Sequence, residues 1–401
     1  MVTVGLISSG LVPVPPKRGG AVELYVYKLC EALRNLGIRS YVIDRTWPNR
    51  GEHRNIIRVK IGGVTDSEIL SYILGRSKHN IIREMVFGFK VAGIAKEFEV
   101  VHANTAWAGY VLSNLINRKR IKIIYTCHNG LWLEERVHLS ERIVRLAEGS
   151  AMRKADAVIA LNKTMKRAIV EKAYVSPSKV FVVPNGVDVE FFRPGLRCDE
   201  VYNEFNLWGK HVVLFVGRVT HSKGVHVLLK AAKILREKYK LKDIKIVIVG
   251  PLSGFFGDEE PTDYVLKLRD YVARNSLDVM FTGSLSHERL RYLYSCSHVF
   301  VLPSLFEAFG MVLIEAMASG LPVIGSRSGG IVDIIYEGVN GYLFEKNNSE
   351  SLSKKLFIIL TDKELRKRMS LNSRNIAVER YSWESVAKKI YEVYRKILVS
   401  L

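Results

Sequence analysis

The sequence predicts an α/β protein built as two doubly wound parallel-sheet domains, and three observations lead there. Short apolar runs alternate with helical stretches along the chain, a pattern that suits parallel strands covered by helices on both faces. These runs form two series, separated by the turn-rich segment Pro184-Asn-Gly-Val-Asp188. At 401 residues the chain exceeds one ordinary core, so two domains are expected, with room for a cleft.

The first series comprises residues 2–8, 39–43, 100–103, 121–126 and 157–161, with 180–183 closing it. The second comprises 212–216, 244–249, 279–282, 299–302 and 322–325. The expected division is therefore 1–184 and 185–381, with Pro184-Asn-Gly-Val-Asp188 as the hinge. Further on, Thr361-Asp-Lys-Glu364 has capping-box spacing and opens one helix, while Ser382 is expected to cap the last, which runs to about Val399.

Hydrophobic content of 48% and charged content of 25% suit a globular protein. No run approaches the ~18 apolar residues of a membrane span. The first residues lack the basic region and small-residue cleavage site of a signal peptide, so a cytoplasmic location is expected. Cys30, Cys127, Cys198 and Cys296 are widely separated and predict reduced, packed thiols without structural metal. The formal charge of +20 favours anionic partners. It is spread over both halves and has no arginine-rich run interleaved with aromatics, so no nucleic-acid partner is expected.

The most informative stretch is Glu307-Ala-Phe-Gly-Met-Val-Leu-Ile-Glu315, followed by Ala316-Met-Ala-Ser-Gly-Leu-Pro322-Val-Ile-Gly325. It follows a buried strand and Pro303-Ser304, so Glu307 should lie just ahead of a helix beginning near Ala308 or Phe309. Backbone N–H groups of Phe309, Gly310, Met311 and Val312 then point from the positive helix end towards phosphate or sugar oxygens. Two carboxylates so placed, Glu307 and Glu315, can bracket a ligand across the helix end, one near its sugar and one near its ribose. Alone, a Glu-x7-Glu spacing is more often two solvated glutamates; the accompanying motifs decide.

Arg218 ends the strand-terminal run Val212-Val-Leu-Phe-Val-Gly217, and Lys223-Gly224 follows before a helix starting near Val225. Ligands of open α/β sheets bind at such carboxyl edges. Arg218 can grip phosphate oxygens bidentately and Lys223 adds a point charge, so together they suit a diphosphate leaving group. Taken singly, each reads as an ordinary surface cation. Gly19 and Gly20, after Pro13, Pro15, Pro16 and Lys17-Arg18, precede a helix from about Ala21 and allow a ligand close to the backbone. This is not the dinucleotide fingerprint. His128, in Tyr125-Thr-Cys-His-Asn-Gly130, stands at another strand end, where a lone histidine is more often structural.

Glu-x7-Glu with Phe-Gly inside it, Ala-x-Ala-x-Gly-x-Pro-Val after it and Gly-Arg-x4-Lys-Gly before it resembles the retaining glycosyltransferases of family 4. The resemblance covers nearly the whole chain. It implies the GT-B fold, two Rossmann-like domains facing a central cleft, with the final helix, about 382–401, crossing back onto the first. It also implies a metal-independent hexosyltransferase using a nucleoside diphosphate sugar as co-substrate, without a separate cofactor, and a hydroxyl acceptor that is a glycolipid, a lipid-linked saccharide or a polysaccharide. No Asp-x-Asp metal motif is present. Arg218, Lys223, Glu307 and His128 inherit catalytic roles, His128 by contacting the transferred sugar. Gly19 and Gly20 inherit the loop over the donor phosphates, while Gly250, Gly283 and Pro303 mark loops around the base. His102 and Asn104 are further candidates for the acceptor side, and the role of Asn162 stays open.

Competing readings are a nucleotide-sugar 2-epimerase or a phosphorylase of the same fold, or a non-catalytic basic protein binding nucleic acid or membrane. Residues 67–98 bear on the last. Ile69, Ile73, Ile81, Met85 and Phe89 recur at helical spacing beside Arg76, Lys78, Arg83, Lys90 and Lys96. An ordinary surface helix pair accounts for this, as does contact with anionic lipid at the inner membrane face or with a lipid-linked acceptor.

Overall fold

The computed structural model describes every residue except 1, 17–19, 49–50, 52, 63–75, 118, 136, 254–259 and 400–401. Gly19 of the glycine pair, and Ile69 and Ile73 of the basic stretch, therefore lie outside the described residues. The chain forms two compact units, one of residues 1–186 with 383–401 and one of 187–382.

The first unit holds a seven-stranded sheet of β1 (Thr3–Ile7), β2 (Arg39–Arg45), β3 (Ile56–Val59), β4 (Val100–Ala103), β5 (Lys122–Cys127), β6 (Ala157–Ala160) and β7 (Val180–Val182). The strands are parallel in the order β3-β2-β1-β4-β5-β6-β7. Their near-continuous Val and Ile content reflects burial on both faces, since helices cover a parallel sheet above and below. One cover is the final helix, Trp383–Val399, whose Val386, Ala387, Ile390, Val393 and Tyr394 join Val4, Leu6, Leu29 and Val100 in one core. That helix does cross back onto the first unit.

The second unit holds β8 (His211–Val216), β9 (Ile244–Val249), β10 (Val279–Gly283), β11 (Val299–Leu302), β12 (Val323–Ser326) and β13 (Gly341–Phe344). These are parallel in the order β10-β9-β8-β11-β12-β13. In both sheets the order reverses beside the first strand, between β1 and β4 and between β8 and β11. Helices after the two central strands leave in opposite directions there, which opens a crevice at the carboxyl ends.

The structure corrects two local expectations and fills in one open role. Thr361 ends helix Ser349–Thr361, and the next helix, Lys363–Ile376, is capped by Asp362, whose Oδ1 accepts from Leu365 N–H at 2.8 Å. Asn162 proves to be a helix cap, its Oδ1 accepting from Met165 N–H at 2.7 Å. Cys198 and Cys296 are not free thiols but a disulfide, their Cα atoms 5.6 Å apart. The fold juxtaposes a loop and a helix end that lie 98 residues apart in sequence. Cys30 and Cys127 are free and buried, as expected.

Candidate functional site

In the second unit, the crevice between β8 and β11 is built from the two loops that leave those strands. After β8, Gly217 turns the chain to Arg218, then a short helical turn, His221–Lys223, delivers Lys223 to Gly224. Gly224 caps helix Val225–Glu237 in the left-handed region, φ 69°. A β-carbon there would lie 2.0 Å from the Pro303 carbonyl oxygen, so only glycine lets the two loops meet. Leu305 N–H donates to Ser222 O at 2.7 Å, which ties the loops backbone to backbone. Ser326 Oγ donates to Ser304 O, and Ser328 Oγ to Leu305 O at 2.9 Å, so the β11 loop is also held from β12.

This scaffold brings Lys223 and Glu307 together. Lys223 Nζ lies 2.6 Å from Glu307 Oε2, with both side chains largely buried. Ser304 Oγ donates to the same oxygen at 3.3 Å. The Glu307 backbone is fixed as well, because Gly330 N–H donates to its carbonyl at 2.9 Å. Gly329 passes so close to that carbonyl that a β-carbon would sit 1.9 Å away. Arg218 is exposed, and its guanidinium forms no hydrogen bond or ion pair among the described residues. Its charge is available to an incoming anion.

The helix after Glu307 starts later than the sequence predicts, at Met311, and runs to Ala318. Gly310 is its cap, at φ 97°, so neither Phe309 nor Gly310 lies in the first turn. Phe309 turns into the core, its ring edge towards Tyr381 with centroids 6.3 Å apart. Met311 and Val312 occupy the first helical positions, whose N–H groups have no partner within the helix, whereas Leu313 N–H bonds to Gly310 O at 3.0 Å. Glu315 lies one turn in, and Tyr294 OH donates to its Oε2 at 2.9 Å. Burial raises the Glu315 carboxyl above its ordinary range, with the Tyr294 bond opposing the rise. Nothing in the sequence pointed to Tyr294, a core residue of helix His287–Cys296.

Of the loops assigned to the base, Gly250 and Gly283 are neighbours, since Gly250 N–H donates to Gly283 O at 2.9 Å. Pro303 is buried beneath Gly224.

The remaining candidates belong to the first unit. Gly20 caps helix Ala21–Asn35 at φ 73°, at the end of the loop leaving β1. That loop is held by two buried acids that no sequence motif marks. Asp44 accepts from Ser8 Oγ at 2.7 Å and from Val14 N–H at 3.0 Å, and Arg58 pairs with it. Glu23 accepts from Ser9 Oγ and Ser9 N–H. Burial raises both carboxyls.

His128 follows β5 and packs its ring against the Tyr25 edge, centroids 4.6 Å apart. Asn104 Nδ2 donates to the carbonyls of Ile7 and His102, so its Oδ1 must accept, at 3.1 Å, from His128 Nε2. The proton therefore sits on Nε2, and Nδ1 keeps its lone pair. Burial lowers the His128 pKa to about 3, so the imidazole is neutral near pH 7. His102 is structural: it is fully buried, with Nδ1 2.8 Å from Tyr394 OH and Nε2 2.6 Å from Thr126 Oγ1. That overturns its candidacy as an acceptor contact, and Asn104 serves instead to orient His128.

Among the described residues no group of three or more His, Cys, Asp or Glu side chains is arranged to hold a metal ion. No helix among them is long and apolar enough to cross a membrane.

The chain is similar to known proteins along nearly its whole length. The sequence profile described as Glycosyltransferase Family 4 matches residues 19–191, and that described as Glycosyl transferases group 1 matches 203–376. The D-inositol 3-phosphate glycosyltransferase of Corynebacterium urealyticum is 30% identical over 398 residues, covering 94% of this chain and 91% of the relative. Spore coat protein SA of Bacillus subtilis is 28% identical, over 98% and 99% of the two chains. Among solved structures, sucrose-phosphate synthase from Thermosynechococcus elongatus superposes with a TM-score of 0.77 at 24% identity, over 100% of both chains. HepE of Anabaena, in complex with UDP-glucose, gives 0.73 at 22%, over 99% of this chain and 100% of that one. Both superpositions show the GT-B fold.

Proposed function

This chain belongs to glycosyltransferase family 4, and from that premise we propose that it is a retaining hexosyltransferase, moving a sugar from a nucleoside diphosphate to a hydroxyl acceptor. The observation that carries the reading is the Lys223–Glu307 pair at the switch point of the second sheet, with the exposed Arg218 in the same loop.

In this reading the diphosphate lies against Arg218, Lys223 and the N–H groups of Met311 and Val312. As the glycosidic bond breaks, negative charge grows on the departing phosphate oxygen, and these fixed donors neutralise it. Glu307 takes the sugar hydroxyls and balances positive charge on the anomeric carbon. Glu315 has one oxygen occupied by Tyr294, which leaves the other for a ribose hydroxyl. The acceptor attacks from the leaving-group side, the departing phosphate oxygen takes its proton, and configuration is retained without a separate protein base. His128, neutral and oriented by Asn104, is proposed as a hydrogen-bonding rather than an acid-base group.

The test is a thermal-shift screen of the full chain against UDP, GDP and ADP and their sugars, followed by product analysis with the labelled donor that binds. A ligand selective for the folded state raises the melting temperature. A shift followed by labelled glycoside supports the proposal. Label recovered as an epimerised sugar or a sugar phosphate overturns it, as does the absence of a shift with every nucleotide.

A further inference from the structure

We infer that the outer helical layer of the first unit is a docking surface for an anionic bilayer, with helix Leu139–Lys154 lying along the lipid interface. The helix presents the wrong side to water. Leu139, Ile143 and Leu146 are 75%, 50% and 71% exposed and lie four and three residues apart, hence on one face. Its opposite face, Ala147, Glu148, Ala151 and Met152, is buried. An ordinary surface helix does the reverse, with its apolar stripe inward and its charges outward.

Apart from Arg145, which turns back to the Leu131 and Glu134 carbonyls, the charges on this helix are also sorted by sign. Glu148 points inward, where its carboxylate accepts from Tyr125 OH at 2.8 Å, Asn129 Nδ2 at 2.7 Å and Trp132 Nε1. Glu141 is turned back on the helix start, accepting from His138 N–H at 2.7 Å. The cations Arg142, Arg153 and Lys154 are exposed, and helical spacing puts Arg142 within about one turn of all three large apolar side chains.

The pattern continues across neighbouring helices. Helix Ala106–Leu115 packs directly against Leu139–Lys154, and helix Arg76–Ile94 packs against Ala106–Leu115. Leu115 is 51% and Phe89 53% exposed, with Ile82 and Tyr110 also open to solvent. Lys78 and Lys90 are exposed on the third of these helices, and Lys96 on the short turn Ala95–Glu97 that follows it. Three helices packed side by side thus each expose large apolar side chains, along with cations on two of them. Contiguous exposed apolar surface marks an interaction site. Cations beside it select an anionic interface, since basic residues gain near such a surface while the apolar side chains enter the headgroup boundary. The net charge of +20 adds long-range attraction of the same sign. The inference is independent of the transferase reading, because vesicle binding is measured without donor or acceptor.

The experiment is co-sedimentation of the full chain with phosphatidylcholine vesicles, with and without about 30 mol% phosphatidylglycerol, at low and high salt. Binding is expected to the anionic vesicles, to fall with salt, and to drop about tenfold or more in L139S/I143S/L146S. A second variant, K78Q/K90Q/R142Q, is expected to lose about fivefold per cation. All six side chains are exposed, so unchanged melting temperatures in both variants exclude unfolding as the cause. Equal pelleting of wild type and the serine variant overturns the inference, as does equal binding to neutral vesicles. A wild-type dimer that dissociates in the serine variant, without vesicle binding, also overturns it and assigns the face to a second copy.

Discussion

Lys223 Nζ and Glu307 Oε2 stand 2.6 Å apart and so join the loops that follow β8 and β11. The cation proposed to meet the donor diphosphate is thereby held by the carboxylate proposed to meet its sugar. Binding therefore exchanges one electrostatic partner of Lys223 for another.

That exchange separates two kinds of variant. R218A and K223A are expected to weaken nucleoside diphosphate binding and to lower kcat/KM by about 100-fold or more. E307Q is expected to keep nucleoside diphosphate affinity, or raise it by releasing Lys223, while transfer collapses. Calorimetry with the nucleotide and transfer assays with the labelled donor make the comparison. Equal loss of nucleotide affinity in E307Q and K223A contradicts the division of roles.

Gly224 and Gly329 make a steric prediction. A β-carbon at Gly224 would meet the Pro303 carbonyl at 2.0 Å, and one at Gly329 the Glu307 carbonyl at 1.9 Å. Both residues have positive φ, 69° and 51°. G224A and G329A are each expected to lower stability by about 2 kcal/mol or more and to depress transfer by moving Lys223 or Glu307. Gly195, also at positive φ but with open space around it, is the control, and G195A should leave transfer intact.

The Cys198–Cys296 bridge joins residues 98 apart within the second unit. A loop of that size gives an entropic ceiling of about 4–5 kcal/mol for the cross-link. Thermal unfolding with and without a reductant, and of C198A/C296A, should show the second unit melting earlier by a matching amount. An unchanged melting curve in the double variant would show that the bridge contributes nothing.

His102 predicts a pH dependence of the first unit. Burial holds its pKa at about 3, below the ordinary 6.5, so the neutral form is the one that folds. Its contribution is fully present above pH 6.5 and is lost as pH falls from 6.5 towards 3, at a cost of about 2 kcal/mol by pH 5. Glu23, Asp44 and Glu148, with raised pKa values, act in the opposite sense. The informative measurement is therefore a difference, with stability against pH expected to fall less steeply in H102Q than in the wild type.

Much of the fold was legible because a buried parallel strand needs an unbroken apolar run, and β4, β9 and β11 appear in the sequence at the bounds observed. The strands that the sequence does not reveal, β3 and β13, are four-residue edge strands. Ile56-Ile-Arg-Val and Gly341-Tyr-Leu-Phe are too short to stand out from loop. Lys223, Glu307 and Glu315 stood out only through the combined motifs and the resemblance they carry, since each alone reads as an ordinary surface charge. The supporting side chains did not stand out, because Tyr294 beneath Glu315 and Asn104 beside His128 meet their partners only through tertiary packing. The helix start slipped from Phe309 to Met311 because Phe309 has a core to fill and Gly310 can take the left-handed turn. The disulfide was hidden for the same reason that the crevice supports were.

The return of helix Trp383–Val399 to the first sheet has a consequence for biosynthesis. Val386, Ile390 and Tyr394 wall in a core begun by Val4 and Leu6, yet the ribosome makes them only after the whole second unit. At ordinary translation speeds that delay is roughly 10–40 s. During it the nascent N-terminal sheet stands with one flank uncovered, a ready substrate for holding chaperones, and it closes only when the last helix arrives.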